Sequence, residues 1–319
     1  MNVKSIDEFS LIKLVGEGAF SKVVFAVHKE TETEVAFKIM HKESLAGCFD
    51  EKRVETEKRV LDAVGAFKSP LLNKLLFFYQ DASRIFFGLE FCCGGDLLTY
   101  FMRNSRVPER QIRQYASEIV IGLCVLHQNR IAYRDLKLDN ILLDKTGHIK
   151  LCDFGLARTE MDADSTAFTF CGTPDTMAPE LFRQTGYRRD VDYWALGVVV
   201  YEMFHRRPPF AAPTMRKLAK CVCEHEVKIE AEMSPEARDF VTRLLEKDPM
   251  MRLGQGGPDE LKRHPWFADV VWDDVIHATN HVYHVPTGAA KIDKSQRINL
   301  PFTVAMSGSS GVIDDDIEG

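Results

Sequence analysis

The chain has 319 residues, 45% of them hydrophobic and 28% charged, which is enough to bury a sizeable core in one large or two medium domains. Its formal net charge of -6, with no basic stripe, argues against a nucleic-acid binder and leaves basic peptides as compatible partners. The eight cysteines fit no zinc spacing and read as reduced thiols of the cytosol or nucleus, not as a disulfide framework. The opening residues lack a cationic and apolar leader, and no run of 18 or more apolar residues follows. The expectation is therefore a soluble intracellular protein, cytoplasmic or nuclear, with no membrane segment.

Residues 9 to 40 read as strands. Leu11, Lys13 and Val15, then Val23, Phe25 and Val27, then Val35, Phe37 and Ile39 alternate along runs separated by turn-like segments. From Asp50 to Ala63 charged residues dominate, and Val54, Leu61 and Val64 recur at helical spacing, so an amphipathic helix is expected. Apolar runs over Leu71–Tyr79 and Arg84–Phe91 look like further strands of the same sheet, closed by the turn at Cys92-Cys93-Gly94-Gly95.

Beyond that turn the pattern becomes helical. Ile112, Tyr115, Ile119, Leu123 and Leu126 mark one helix within 110–128, and the nearly all-apolar Trp194–Phe204 marks a buried one. From about Ala268 periodicity is lost, and the Ser/Gly-rich and then Asp-rich end is expected to be disordered. No internal repeat is present. The sum is an α+β chain: a small β-rich lobe with one main helix, a larger and mostly helical lobe, and a cleft between them.

Three sets of residues carry chemistry. Gly16-Glu17-Gly18-Ala19-Phe20-Ser21-Lys22-Val23 lies between two expected strands, where glycines let backbone N–H groups approach phosphate oxygens. Taken alone it also fits a plain glycine hairpin, and Ser21 stands where a third glycine is usual. Lys38 follows on the next strand in Val35-Ala36-Phe37-Lys38, and Glu57, 19 residues later on the expected helix, is placed to hold it. A lone strand lysine is ordinarily a solvated charge. The third set decides between these readings: Tyr133-Arg134-Asp135-Leu136-Lys137-Leu138-Asp139-Asn140, then Asp153-Phe154-Gly155, then Ala178-Pro179-Glu180. This order implies phosphoryl transfer, with Asp135 orienting the substrate hydroxyl and taking its proton. Asn140 and Asp153 would hold Mg²⁺, and Lys137 would offset charge on the transferred group.

On these residues the chain resembles a eukaryotic protein kinase over roughly residues 9–267, with a first lobe at about 9–91 and a second at about 92–267. Within that superfamily it is similar to the AGC group of protein kinase A, B and C relatives. The strings that carry this are Thr56–Leu61, Thr169–Asp175, Val191–Val198 and Arg252-Leu253-Gly254. Tyr133 before Arg134, with Leu138 and Asp139 after Lys137, lies nearest the protein kinase C side. Residues 268–319 then correspond to a shortened form of the group's C-terminal tail.

The resemblance implies a serine/threonine kinase using ATP and Mg²⁺. It places adenine between Val23 and Ala36 above and Leu142 below, with backbone hydrogen bonds from Glu90 and Cys92 and with Leu89 behind. Val15 to Val23, Lys38, Glu57 and Asp96 complete the expected ATP-binding set. Asp135, Lys137 and Thr173 form the expected catalytic set. Leu61, Leu75, Tyr133 and Phe154 match the stacked column of such kinases. Asp96, Asp139 and Glu202 match carboxylates that read arginine upstream of the target hydroxyl. Thr169 matches the activating phosphosite, with Arg53, Arg134 and Arg158 to receive the phosphate. Arg53 is four residues before Glu57, so such a phosphate would draw Glu57 towards Lys38. Glu180 and Arg252 match a buried ion pair, and Asp192 a brace for the catalytic loop. The expected partners are protein substrates and an upstream kinase or activating protein, around a monomer.

The chain departs from the family in several places. Thr176 stands where a tyrosine is usual. In Ile298–Thr303 the segment resembling the family's cleft-crossing tail has Leu300 as its leading residue, and the terminal aromatic-rich motif is absent. Cys152, just before Asp153, is expected to face the cleft, more as packing than as a reactive thiol. A pseudokinase scaffold would keep the fold without Lys38, Glu57, Asp135, Asn140 and Asp153 all intact. A small-molecule kinase of related fold would lack Thr169, the Gly172-Thr173-Pro174 stretch and the Ala178-Pro179-Glu180 motif.

Overall fold

The alternating runs near the start form β1 (Phe9–Glu17), β2 (Ser21–His28) and β3 (Glu34–His41) in the computed structural model. The structure describes residues 3, 5–18, 21–45, 48–162, 164–230, 232–286 and 298. With β4 (Leu75–Gln80) and β5 (Arg84–Glu90) these strands make an antiparallel sheet of order β1-β2-β3-β5-β4. Period-two alternation buries Val24, Ala26, Val35, Phe37 and Phe86 with Phe9 and Phe77. Phe9 and Phe37 meet edge to face at 4.7 Å. Gly88 is required here by close approach: a Cβ on it would lie 2.2 Å from Cζ of Phe77.

One helix, α1 (Cys48–Phe67), packs with the sheet and presents Val54, Val60, Leu61 and Val64 to the core. It ends at Lys68, whose φ of 54° is left-handed, and the following Ser69-Pro70 cannot continue it. The strand expected from Leu71 begins only at Leu75. Leu71 instead accepts a hydrogen bond from the Leu151 N–H at 2.9 Å, and the Asn73 N–H donates to the Leu151 carbonyl at 2.9 Å. These residues are thus drawn to the second lobe, an alternative that an apolar run cannot distinguish from a sheet strand.

The second lobe starts with α2 (Leu97–Arg103), capped by Asp96, and α3 (Glu109–Gln128), which buries Ile112, Tyr115, Ile119, Leu123 and Leu126. A short pair, β6 (Ile141–Leu143) and β7 (Ile149–Leu151), carries the residues that flank the cleft. Then come α4 (Pro179–Arg183), α5 (Val191–His205), α6 (Met215–Glu224), α7 (Pro235–Leu244) and α8 (Pro258–Lys262). Helix α5 is apolar over most of its surface because most of it is buried, with Trp194, Leu196, Val198, Val199 and Val200 fully enclosed. Each such side chain contributes about 1.5–3 kcal/mol by leaving water. Where periodicity was expected to end, α9 (Trp272–Ile276) follows, too short to display a helical period. Leu300 and Phe302, and the expected terminal disorder, lie outside the described residues.

The larger core cluster runs without interruption from Val60 and Leu61 of α1 to Tyr133, Phe154 and Trp194. One apolar core therefore spans both lobes and positions the cleft. The architecture is α+β, a β-rich first lobe and a helical second one.

Candidate active site

The nucleotide-side residues are set by strand register. Gly16 pairs with Val23 and Glu17 with Lys22, and the Gly18 N–H donates to the Ser21 carbonyl at 2.8 Å, closing the hairpin. Ala19 and Phe20 lie outside the described residues. Val15 stays exposed. Val23 sits across from Lys38 and Leu89 across from Ala36, so Val23, Ala36 and Lys38 share one face of the sheet. At the strand end, the Glu90 N–H donates to the Lys74 carbonyl at 2.9 Å, and the Glu90 carbonyl accepts from Asn73 Nδ2 at 3.0 Å. Its carboxylate pairs with Lys150 at 3.0 Å. Cys92 is buried, and burial pushes its thiol up to about 12.

Lys38 joins the lobes electrostatically. Its ammonium lies 2.6 Å from Glu57 Oε1 and 3.0 Å from Asp153 Oδ1. Burial works against the ammonium, but the two carboxylates outweigh it and the Lys38 pKa is raised. Burial pushes the Glu57 carboxyl up, while Lys38 and, less strongly, Arg53 favour its charged form. Lys38 holds Asp153 below the usual carboxylate range. Asp153 adopts a left-handed φ of 57°, so its side chain and that of the fully buried Phe154 part company. Phe154 packs on Tyr133 with ring centroids 5.6 Å apart, and Leu61 and Leu75 belong to the same cluster.

The catalytic loop is a second charge cluster. Thr173 Oγ1 donates to Asp135 Oδ1 at 2.7 Å, Lys137 Nζ donates to Thr173 Oγ1 at 2.8 Å, and Lys137 lies 3.2 Å from Asp135 Oδ2. Asn140 Nδ2 donates to Asp135 Oδ2 at 2.8 Å and to the Asp135 carbonyl at 2.9 Å. Asp192, wholly buried, accepts from the backbone N–H groups of Tyr133 and Arg134 at 2.8 and 2.7 Å. Arg134 is thereby held at a φ of 66°. Gly172 precedes Thr173 with a φ of 120°, and a Cβ there would lie 3.0 Å from the Arg134 carbonyl oxygen. Cys152 Sγ contacts the Asn140 carbonyl at 3.4 Å, and burial raises its thiol well above the usual range, which keeps it protonated.

The expected phosphosite and substrate residues are placed unevenly. Thr169 is exposed, and no hydrogen bond of its hydroxyl is found among the described residues. Its carbonyl accepts from the Tyr187 hydroxyl at 2.9 Å, and that hydroxyl accepts from Arg134 Nη1 at 2.7 Å. Arg158 is tied to Ala132 through two backbone hydrogen bonds, of 2.8 and 2.9 Å. Asp139 and Glu202 come together with Asp175. Burial first, then Asp139 and Asp175, push the Glu202 carboxyl up to about 7. Asp96 caps α2, accepting from the Thr99 N–H at 2.7 Å and the Thr99 hydroxyl at 3.0 Å. Tyr187, Asp175 and Lys150 went unnoticed in the sequence. Asp175 had a signal, lying two residues after Thr173, whereas an isolated tyrosine or strand lysine had none.

The oxygens fit magnesium. Asp153 Oδ1 faces Lys38 and the Gly155 N–H, leaving Oδ2 of a half-exposed, ionised carboxylate. Asn140 spends its Nδ2 on Asp135 and keeps its Oδ1. Hard oxygen donors in this small number suit an ion that also binds water and phosphate.

Two lobes, a lysine bridging two carboxylates and a hydroxyl-accepting aspartate define a phosphotransferase-type cleft. The protein kinase domain family matches residues 9–267, and the chain belongs to that family. It is 39% identical over 292 residues to RAC-beta serine/threonine-protein kinase B of Xenopus laevis, covering 91% of this chain and 59% of that protein. Protein kinase C eta type of Mus musculus is 40% identical over 275 residues, 85% of this chain and 40% of that protein. Protein kinase C-like 1B of Caenorhabditis elegans is 39% identical over 273 residues, 84% of this chain and 38% of that protein. This is the AGC group, on the side of protein kinase C and the RAC kinases. The chain spans between about two fifths and three fifths of the length of these relatives.

Proposed function

We propose that the chain transfers the γ-phosphoryl group of ATP to serine and threonine hydroxyls of protein substrates. The observation that carries this reading is Lys38 bridging Glu57 and Asp153 at 2.6 and 3.0 Å while Asp135 is held by Thr173, Lys137 and Asn140. In this reading Lys38 grips the α- and β-phosphates and Glu57 keeps it in place. The glycine hairpin covers the phosphates, and Val23, Ala36 and Leu142 enclose the adenine. Leu89 stands behind the ring, and the backbone of Glu90 and Cys92 hydrogen-bonds it. Asp153 and Asn140 hold magnesium, which neutralises phosphate charge when bound. Asp135 orients the attacking hydroxyl and takes its proton. Lys137 offsets charge on the moving phosphoryl group, and the Thr173 hydroxyl keeps Asp135 and Lys137 in register. Transfer of radiolabelled γ-phosphate to a serine peptide, absent in Asp135→Asn, tests the assignment; no transfer by any phosphorylated preparation refutes it.

Substrates are read in arginine-containing contexts by Asp139 and Glu202, helped by Asp175. Glu202 supplies a pH signature, because only its ionised form makes a charge-assisted pair with a guanidinium. With its pKa near 7, the sign is fixed: peptide affinity falls below that value and rises above it. An arginine peptide is expected to lose roughly tenfold in kcat/KM from pH 8 to pH 6, the scale of one charged hydrogen bond. Glu202→Gln flattens that profile, and an unchanged profile in the variant removes Glu202 from substrate reading.

Activation follows phosphorylation of Thr169 by an upstream kinase. Support comes from the Arg134–Tyr187–Thr169 chain, which already ties the loop to the catalytic segment. A phosphate there adds pairs with Arg134 and Arg158, and with Arg53 one helical turn from Glu57. Thr169→Ala is expected to lower kcat/KM by roughly ten- to a hundredfold, equivalent to one or two charge-assisted bonds. Equal activity of the variant and the phosphorylated protein would count against this switch.

A further inference from the structure

The connection from α2 to α3 reads Met102-Arg103-Asn104-Ser105-Arg106-Val107-Pro108, and Arg103, Asn104, Ser105 and Arg106 are all exposed. Ser105 makes no hydrogen bond among the described residues, through its hydroxyl or its backbone. Asn104 before it is fixed, its N–H and its Nδ2 both donating to the Tyr100 carbonyl, at 3.2 and 2.7 Å. A bare hydroxyl therefore stands on an anchored stem, in a stretch with no strand or helix pairing to undo.

Three arginines serve this serine. Arg103 and Arg106 flank it along the chain and have no hydrogen bond or ion pair among the described residues. The third comes from the end of α5: Arg206 Nη2 donates to the Asn104 carbonyl at 3.2 Å, in the peptide unit that runs into Ser105. Arg206 Nη1 donates to the Met203 carbonyl, and its guanidinium carbon lies 4.5 Å from the centre of the Phe101 ring. Its Nε is buried without a partner among the described residues. Burial lowers the Arg206 pKa, and no carboxylate offsets that effect.

We propose that Ser105 is phosphorylated by a second copy of this chain, and that Arg103, Arg106 and Arg206 receive the phosphate. The inference rests on the proposed kinase activity and its reading of arginine upstream of the target hydroxyl, since Arg103 lies two residues before Ser105. A second copy is needed because α2 is anchored at the cleft, where Asp96 bridges to Leu142. Ser105, beyond the other end of that helix, enters its own cleft only if α2 unwinds. In the transfer, Ser105 Oγ bonds to the γ-phosphorus of ATP as the bond from that phosphorus to the β–γ bridging oxygen breaks. ADP leaves, and the hydroxyl proton passes to Asp135 of the copy acting as enzyme. The product carries a charge of about -2 and three acceptor oxygens, which suit forked guanidinium donors. The Arg206 N–H also donates to the Glu202 carbonyl at 2.8 Å, so holding Arg206 steadies the turn that carries Glu202.

The test presents the Asp135→Asn full chain, as substrate, to the active full chain with radiolabelled ATP, beside a serine peptide with an upstream arginine. Mass spectrometry of chymotryptic fragments locates the phosphate. Ser105 is expected to be labelled, with the label lost in Asp135→Asn/Ser105→Ala and lowered at least tenfold in Asp135→Asn/Arg103→Ala. A labelled peptide with Ser105 unlabelled, or labelled equally without Arg103, overturns the proposal and leaves the kinase reading standing; no label on either substrate overturns both. The receiving arginines are tested without activity, by encoding phosphoserine at position 105 of the Asp135→Asn chain. A rise in Tm of about 2–6 °C over the unphosphorylated chain is expected. Compared within one variant, the rise should vanish in Arg206→Gln; should that variant misfold, the exposed pair Arg103→Ala/Arg106→Ala decides by losing at least half of it. No rise, or an undiminished rise in the deciding variant, overturns the proposal.

Discussion

Asp135→Asn is expected to lower kcat by about 10²–10⁴-fold, the range for losing a positioned proton acceptor. ATP affinity should stay nearly unchanged, because Asp135 lies away from the Lys38 pair that holds the phosphates in the proposed mechanism. Both carboxylate oxygens are already surrounded by donors, Thr173 on Oδ1 and Lys137 with Asn140 on Oδ2. An amide can satisfy only one side of that arrangement. Its NH₂ must turn towards Thr173, whose hydroxyl can accept, and the oxygen then stays with Lys137 and Asn140. The fold of the loop survives, since Asp192 holds its backbone independently. What is lost is the negative charge that accepts the hydroxyl proton in the proposed mechanism. Single-turnover transfer combined with nucleotide titration separates these effects. A fall in ATP affinity matching the fall in kcat would show that Asp135 acts through nucleotide binding instead.

This cluster was largely legible in the sequence, and the reason is physical. Phosphoryl transfer needs an acceptor, a cation and metal-side oxygens at fixed separations, and a tight loop can supply Asp135, Lys137 and Asn140 only at short, fixed spacing. Lys38 and Asp153 stand 115 residues apart, and no periodicity links them. Their pairing was readable only through resemblance to a family. Boundaries failed where an apolar residue has two equally good burials: Leu71 and Leu72 serve the second lobe although they read like a sheet strand. Asp96 has a structural part that the motif reading did not state: a carboxylate three residues before Thr99 on a new helix caps that helix. Glu202 shows the remaining limit. Its raised pKa depends on burial and on Asp139 and Asp175, 63 and 27 residues earlier in the chain, and spacing alone encodes none of that. The Tyr187 bridge is similar, being one hydroxyl set by a turn between Arg134 and the Thr169 carbonyl.

Arg252→Met is expected to cost about 3–5 kcal/mol of stability, the range for breaking a buried pair by removing one partner. Arg252 is 1% exposed and Glu180 3%, and they meet through two parallel hydrogen bonds of 2.7 and 2.9 Å. Arg252 Nε also donates to the Glu246 carbonyl, and the guanidinium stacks 5.3 Å over the Trp194 ring. Removing it leaves the Glu180 carboxylate enclosed and uncompensated. Asp190, whose carboxyl burial already pushes up, loses a nearby cation as well. A fall in melting temperature of roughly 6–20 °C follows at that ΔΔG for a domain of this size. Glu180→Leu/Arg252→Met should recover the part due to Glu180, since an apolar pair of similar volume is often neutral or better. The pair also bears on the reaction, because α4 begins at Pro179, directly after the stretch carrying Thr173. Loosening its anchor frees the hydroxyl that holds Asp135 and Lys137 together, so kcat should fall with stability in the single variant and return in the double. Recovery of melting temperature without recovery of kcat would place the salt bridge itself, and not the anchoring of α4, behind the catalytic effect.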